Sequence, residues 1–123
     1  MEYLTVSKII EIHDEIIKEY GGTRGLRDEG TLELLVYKAN RENTAFRRAA
    51  LILYTIAAQH PFFDGNKRTA LVTAEKVLDD EGYYLDAEAE EKVGLMQNIA
   101  EYKNSTKTIE KWIKEKAREL HLG

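Results

Sequence analysis

The stretch Ala45 to Gln59, AFRRAALILYTIAAQ, decides the fold. After Arg48 it is apolar on nearly every side, with no polar face at helical spacing. A helix of that kind is normally the buried centre of a domain. Its apolar run, Ala49 to Ala58, is far shorter than the roughly 20 residues a membrane span needs. Pro61 ends it, because the residue before a proline is pushed out of the α region. The fold must therefore be built around this one helix.

Working outward, the neighbours read as amphipathic helices. Leu4 to Tyr20 places Ile9, Ile12 and Ile16, then Ile10, Ile17 and Tyr20, at helical spacing, and Gly21-Gly22 stops it. Gly21 to Arg27 reads as a loop. Asp28 is a good N-cap for a helix carrying Leu32, Leu35, Val36 and Ala39, which Asn40 to Asn43 break. Beyond Pro61 a helix starts near Asn66 with Ala70, Leu71, Ala74, Val77 and Leu78 inward, and it stops at Gly82. Tyr83 to Leu85 reads as a short extended piece. Asp86 is the expected cap of a helix with Glu88, Glu90 and Glu91 at its positive end and Val93, Met96, Ile99 and Ala100 as its stripe. Asn104-Ser105 breaks the pattern before a last helix bearing Ile109, Trp112, Ile113, Lys116 and Leu120. The sequence predicts an all-α bundle of about six helices forming one domain over residues 1–123.

The bulk properties agree. Composition is 43% hydrophobic and 33% charged, which is globular rather than disordered. Without cysteine there is no disulfide scaffold and no thiolate zinc site. His13, His60 and His121 lie too far apart in sequence for a local metal motif. A net charge of −4 weighs against direct nucleic-acid binding. No signal-peptide pattern opens the chain, so a cytoplasmic protein with no membrane association is expected.

The chemistry concentrates in HPFFDGNKRT, His60 to Thr69. Phe62 and Phe63 are expected to pin the loop to the core. Gly65 frees the backbone to turn, and Asp64 or Asn66 is placed to cap the next helix. The unpaired N–H groups of that helix then form an anion site. Lys67 and Arg68 oppose the helix dipole there, at roughly 0.3–1 kcal/mol each. A bound polyphosphate reverses that sign. Asp64 offers a carboxylate to Mg²⁺. His60, beside the anion site, is placed to take a proton from an attacking hydroxyl. Neither GxxxxGK[ST] nor GxGxxG occurs, so the common phosphate loops are absent.

HPFFDGNKR closely resembles the active-site motif of the Fic/Doc family, HxFx[D/E]GNxxR in the Fic branch and HxFx[D/E]ANKR in the Doc branch. His60, Phe62, Asp64, Asn66 and Arg68 match what both share; Lys67 matches Doc and Gly65 matches Fic. LTVSKIIEIHDEIIKEYGG and GLRDEGTLELLV are similar to the N-terminal region of the Doc branch. The resemblance implies a compact Fic/Doc-type helical fold. It implies His60 as general base, Asp64 as the Mg²⁺ ligand, and Gly65, Asn66, Lys67 and Arg68 on the phosphates of ATP or another nucleoside triphosphate. Phe62 becomes a structural anchor, and Arg24 and Arg27 belong to a flap that docks substrate. Against the flap role stands a plain reading of each arginine, in a flexible link after a glycine-terminated helix.

AMP-transferring Fic proteins carry a further arginine, GNGRxxR, where this chain has Leu71. The resemblance therefore implies a Doc-like toxin of a type II toxin-antitoxin system. Such a toxin transfers phosphate to a Thr or Ser hydroxyl of a translation factor such as elongation factor Tu. The alternatives are AMP transfer to protein hydroxyls and a non-catalytic nucleotide- or partner-binding module; a helix-turn-helix DNA binder fits the acidic balance poorly. Ser7 to Glu11 and Thr106 to Glu110 have the spacing of an inhibitory [S/T]xxxE[G/N] helix, but Ile12 and Lys111 follow them. Restraint is then expected in trans, from a small antitoxin. His13, at the edge of its stripe, reads as a satisfied core or boundary histidine.

Overall fold

The computed structural model describes residues 3–121, so residues 1, 2, 122 and 123 of the expected domain lie outside the described residues. Six helices occur among the described residues: α1 (Val6–Tyr20), α2 (Glu29–Ala39), α3 (Ala45–Gln59), α4 (Asn66–Asp80), α5 (Ala89–Ala100) and α6 (Thr106–Lys116). The fold is all-α, with one small antiparallel ribbon of β1 (Tyr83–Leu85) and β2 (Ala117–Glu119).

Helix α3 is the hub. It packs on α2, α4, α5 and α6. Its Ala49, Ala50, Ile52, Leu53, Ile56, Ala57 and Ala58 are all without solvent exposure. The alanines let neighbours approach closely, and each larger aliphatic contributes roughly 1.5–3 kcal/mol by leaving water. Ile9 and Ile16 of α1, Leu32 and Leu35 of α2, Ala70, Ala74 and Leu78 of α4, Met96 and Ile99 of α5, and Ile109 and Ile113 of α6 complete the core.

Side chains begin most helices. Thr5, Asp28, Thr44 and Ser105 each accept the backbone N–H three residues on, capping α1, α2, α3 and α6. Arg48 is 3% exposed, and its charge is met inside. Its Nε donates to Ala39 O at 3.1 Å and its Nη2 to Glu42 O at 3.1 Å, with Glu81 3.7 Å away. One arginine therefore closes the end of α2 and the loop after it.

Four local expectations change. The last helix ends at Lys116, and Ala117–Glu119 turns extended to pair with Tyr83–Leu85, because that edge is open beside it. Asp86 does not cap α5. Glu88 holds that position without a side-chain bond, while Asp86 donates its N–H to Lys116 O and lies 3.7 Å from Arg118. The buried stripe of α5 is Leu95, Met96 and Ile99, leaving Val93 exposed. Finally, Phe62 is buried but Phe63 is exposed.

Candidate active site

The loop from the end of α3 to the start of α4 has almost every backbone carbonyl spoken for. His60 takes the left-handed conformation, φ 51° and ψ 62°, which costs a non-glycine residue roughly 1–2 kcal/mol. That turn throws the chain out of α3 and into Pro61. Helix-end carbonyls lack intrahelical partners, and here long-range donors supply them. Tyr102 Oη donates to Ala58 O at 2.7 Å. Arg27 donates from Nη2 to Gln59 O at 3.0 Å and from Nε to His60 O at 2.9 Å. The backbone N–H groups of Arg27 and Asp28 both reach Pro61 O, at 2.7 and 2.9 Å. The Asn66 amide closes on Phe62 from both sides, its Oδ1 accepting Phe62 N–H at 3.0 Å and its Nδ2 donating to Phe62 O at 2.9 Å. His13 Nε2 donates to Asp64 O at 2.8 Å. A carbonyl only accepts, so that bond fixes the proton on Nε2.

His13 and Phe62 form one support. Both are buried, and their rings stack at 3.8 Å, 5° from parallel. The sequence reading of His13 as a satisfied core histidine agrees with this position. Phe62 anchors the loop as read; Phe63 cannot, since its ring lies on the surface over Gly25.

The loop before α2 lies directly against this segment. Leu26 bridges Phe62 antiparallel, and Phe63 N–H donates to Gly25 O at 3.3 Å. Thr23 N–H donates to Asp64 Oδ2 at 3.2 Å. Gly22, at φ 119°, permits this approach: a Cβ there would sit 2.7 Å from Asp64 Oδ2. Arg27 has its guanidinium on the α3 carbonyls, a structural task that sequence reasoning did not give it. Arg24 is exposed in the same loop.

Helix α4 begins differently from the capped helices. Its cap is Gly65, left-handed at φ 73°, with no side chain bonding the first turn. Neither Asp64 nor Asn66 takes the capping role expected of them. Asp64 Oδ1 accepts only Gly65 N–H, at 2.9 Å, and Asn66 is already inside the helix with its amide turned back on Phe62. The amide of Asn66 thus holds the loop through Phe62, and its side chain is buried. Lys67 and Arg68 stand exposed on this uncapped turn. The Arg68 guanidinium rests 4.2 Å from the centre of the Tyr20 ring. The His60 imidazole is half-buried and has no hydrogen-bond partner among the described residues. Leu71, one turn along, packs against the core.

The donor set fits a magnesium ion. Asp64 is exposed, its carboxylate is oriented by two backbone N–H groups, and each oxygen keeps a lone pair. One carboxylate shared with phosphate oxygens and water is the usual magnesium arrangement.

The comparisons with known proteins follow this geometry. The model of the Fic/DOC family matches residues 3–78, a span holding α1 to most of α4 and the whole loop just described. The chain is also 36% identical over 80 residues to the protein kinase doc of Escherichia phage P1, a match covering 60% of this chain. It covers 64% of that protein, less than two thirds of its length.

Proposed function

This chain belongs to the Fic/DOC family, and on that premise we propose that it is a Doc-like toxin transferring the γ-phosphate of a nucleoside triphosphate to a protein hydroxyl. The single observation that carries the reading is the start of α4. Two cations occupy an uncapped first turn, and Leu71, not an arginine, follows with its side chain packed inward. The similarity to a phage protein kinase supports the same choice.

In this reading the chain's own residues divide the work. The N–H groups of the first turn of α4, with Lys67 and Arg68, bind and orient the phosphates. Arg68 leaves Tyr20 to do so, exchanging an exposed cation–π contact of about 0.5–1 kcal/mol for a charge-assisted bond. Asp64 would hold Mg²⁺, which when bound offsets phosphate charge. His60 takes the proton of a Thr or Ser hydroxyl as its oxygen attacks the γ-phosphorus. The bond from that phosphorus to the β–γ bridging oxygen breaks, and the nucleoside diphosphate leaves. The target is a translation factor such as elongation factor Tu, the reaction arrests growth, and a small antitoxin restrains it in trans.

The test is incubation with ATP labelled at the γ or the α position, Mg²⁺ and a translation extract. Label from γ alone supports the proposal. Label from α identifies AMP transfer, the alternative that Gly65 keeps open by its match to the Fic branch. No label from either position, with His60→Ala as toxic to cells as the unaltered protein, leaves a non-catalytic binding module.

A further inference from the structure

Two non-glycine residues among those described have positive φ: His60 at 51° and Tyr102 at 61°. Forty-two positions separate them in sequence (102 − 60), yet both act on the last turn of α3. His60 leaves that turn, and the Tyr102 hydroxyl donates to Ala58 O within it at 2.7 Å.

Tyr102 occupies a position that glycine ordinarily fills. Helix α5 closes with Tyr102 N–H on Ile99 O at 2.9 Å and Lys103 N–H on Asn98 O at 2.9 Å. Those two bonds define a Schellman motif, whose left-handed residue is usually glycine. A tyrosine there accepts backbone strain. Burial does not compensate it, because Tyr102 is 67% exposed. What its side chain distinctly supplies is the hydroxyl on Ala58 O.

We infer that Tyr102 is a positioning residue: with Arg27 it clamps the last carbonyls of α3 and so holds His60 at its left-handed exit, aimed at the reacting hydroxyl. Arg27 grips Gln59 O and His60 O from the loop before α2; Tyr102 grips Ala58 O from the opposite end of the chain. Tyr102 lies outside the stretch matched by the family model. The clamp therefore couples the turn between α5 and α6 to the candidate base. The inference rests on His60 acting as that base.

Tyr102→Phe removes the hydroxyl and keeps the ring and the strain. Tyr102→Gly removes the hydroxyl and the strain together. Both are expected to lower kcat for phosphate transfer about tenfold, since small misplacement of a reacting group is costly, with KM for ATP within about twofold of its starting value. Tyr102→Gly is expected to do so with an unchanged or higher Tm, the reverse of a merely structural residue. Hydrogen exchange at the Phe62 and Phe63 amides is expected to quicken in both variants. Unchanged kcat in both variants overturns the positioning role, whatever exchange does. If the unaltered protein transfers no phosphate and His60→Ala behaves alike, the proposed reaction falls separately. The clamp is then decided by exchange alone: faster exchange in Tyr102→Phe upholds it, and unchanged exchange overturns it.

Discussion

Helices α3 and α4 follow one another in the chain and begin in opposite ways. Helix α3 opens on Thr44, whose hydroxyl accepts Arg47 N–H at 3.2 Å, and its two opening cations are met, Arg48 buried among carbonyls and Arg47 3.6 Å from Glu42. Helix α4 opens on a left-handed glycine with no side-chain cap, and its cations stand in solvent. One start spends its N–H groups on stability. The other keeps them, and where the arginines opening α3 have Glu42, Glu81 and Glu110 beside them, Lys67 and Arg68 face the positive dipole end with no acidic partner among the described residues. The difference teaches that a locally unfavourable start can mark the face that awaits an anion.

The sharpest break of this contrast is a pair of substitutions. Lys67→Ala should lower phosphate transfer by about a hundredfold, the scale of an electrostatic group at a reacting phosphate. It should leave stability unchanged or raise it by up to about 1 kcal/mol, because a cation opposing the dipole is gone. Thr44→Ala should cost about 1 kcal/mol and leave the activity of folded molecules intact. Labelled-ATP transfer and urea denaturation read both; equal effects at the two helices would erase the distinction.

A second test concerns the loop lying on Asp64. Gly22→Ala puts a methyl 2.7 Å from Asp64 Oδ2 at a backbone angle that disfavours side chains. The loop must lift or the carboxylate must turn. The Mg²⁺ concentration for half-maximal transfer should rise several-fold, as when an outer contact to a metal ligand is lost. An unchanged magnesium dependence would separate this loop from the site.

The smallest effect lies at α2. The Thr31 hydroxyl, then the Thr31 N–H, holds the Asp28 carboxyl below its usual range. A depressed folded-state value stabilises above the unfolded value, near pH 4, and that contribution is lost as pH falls through the lowered one. Acid unfolding followed by circular dichroism should show a slightly shallower acid limb in Asp28→Asn, the variant being slightly less stable at neutral pH and converging with the unaltered protein in acid. An unaltered limb would show that this exposed cap does not couple to folding.

Much of this was legible because it is local. Periodicity marks α1 and α2, an all-round apolar run ended by Pro61 marks α3, and Gly82 bounds α4. The motif from His60 to Arg68 names its own residues. Most of the differences involve partners that the linear order does not announce, several of them far along the chain. Asn66 reads as a helix cap until its amide is seen to close on Phe62. Arg27 looks free until the end of α3 arrives beneath it. Phe62 and Phe63 are indistinguishable in sequence, and only the chain direction at a left-handed His60 decides which is buried. Tyr102 carried a faint signal, a helix end with no glycine, but its hydrogen bond spans 44 residues. Ala117–Glu119 continues a helical pattern and becomes a strand only because β1 offers an edge.

That ribbon has a consequence in the order of folding. Tyr83 pairs with Glu119, closing a loop of 36 residues (119 − 83) that contains all of α5 and α6. Loop-closure entropy delays such distant pairings relative to the contacts of adjacent helices. The turn bearing Tyr102 lies inside this loop, so its hydroxyl reaches Ala58 late. In a refolding experiment, helicity should return before transfer activity. Coincident recovery of the two would mean that the end of α3 is shaped without help from the last third of the chain. In a chain made on a ribosome, a site that depends on α5 and α6 stays unfinished until those helices have emerged.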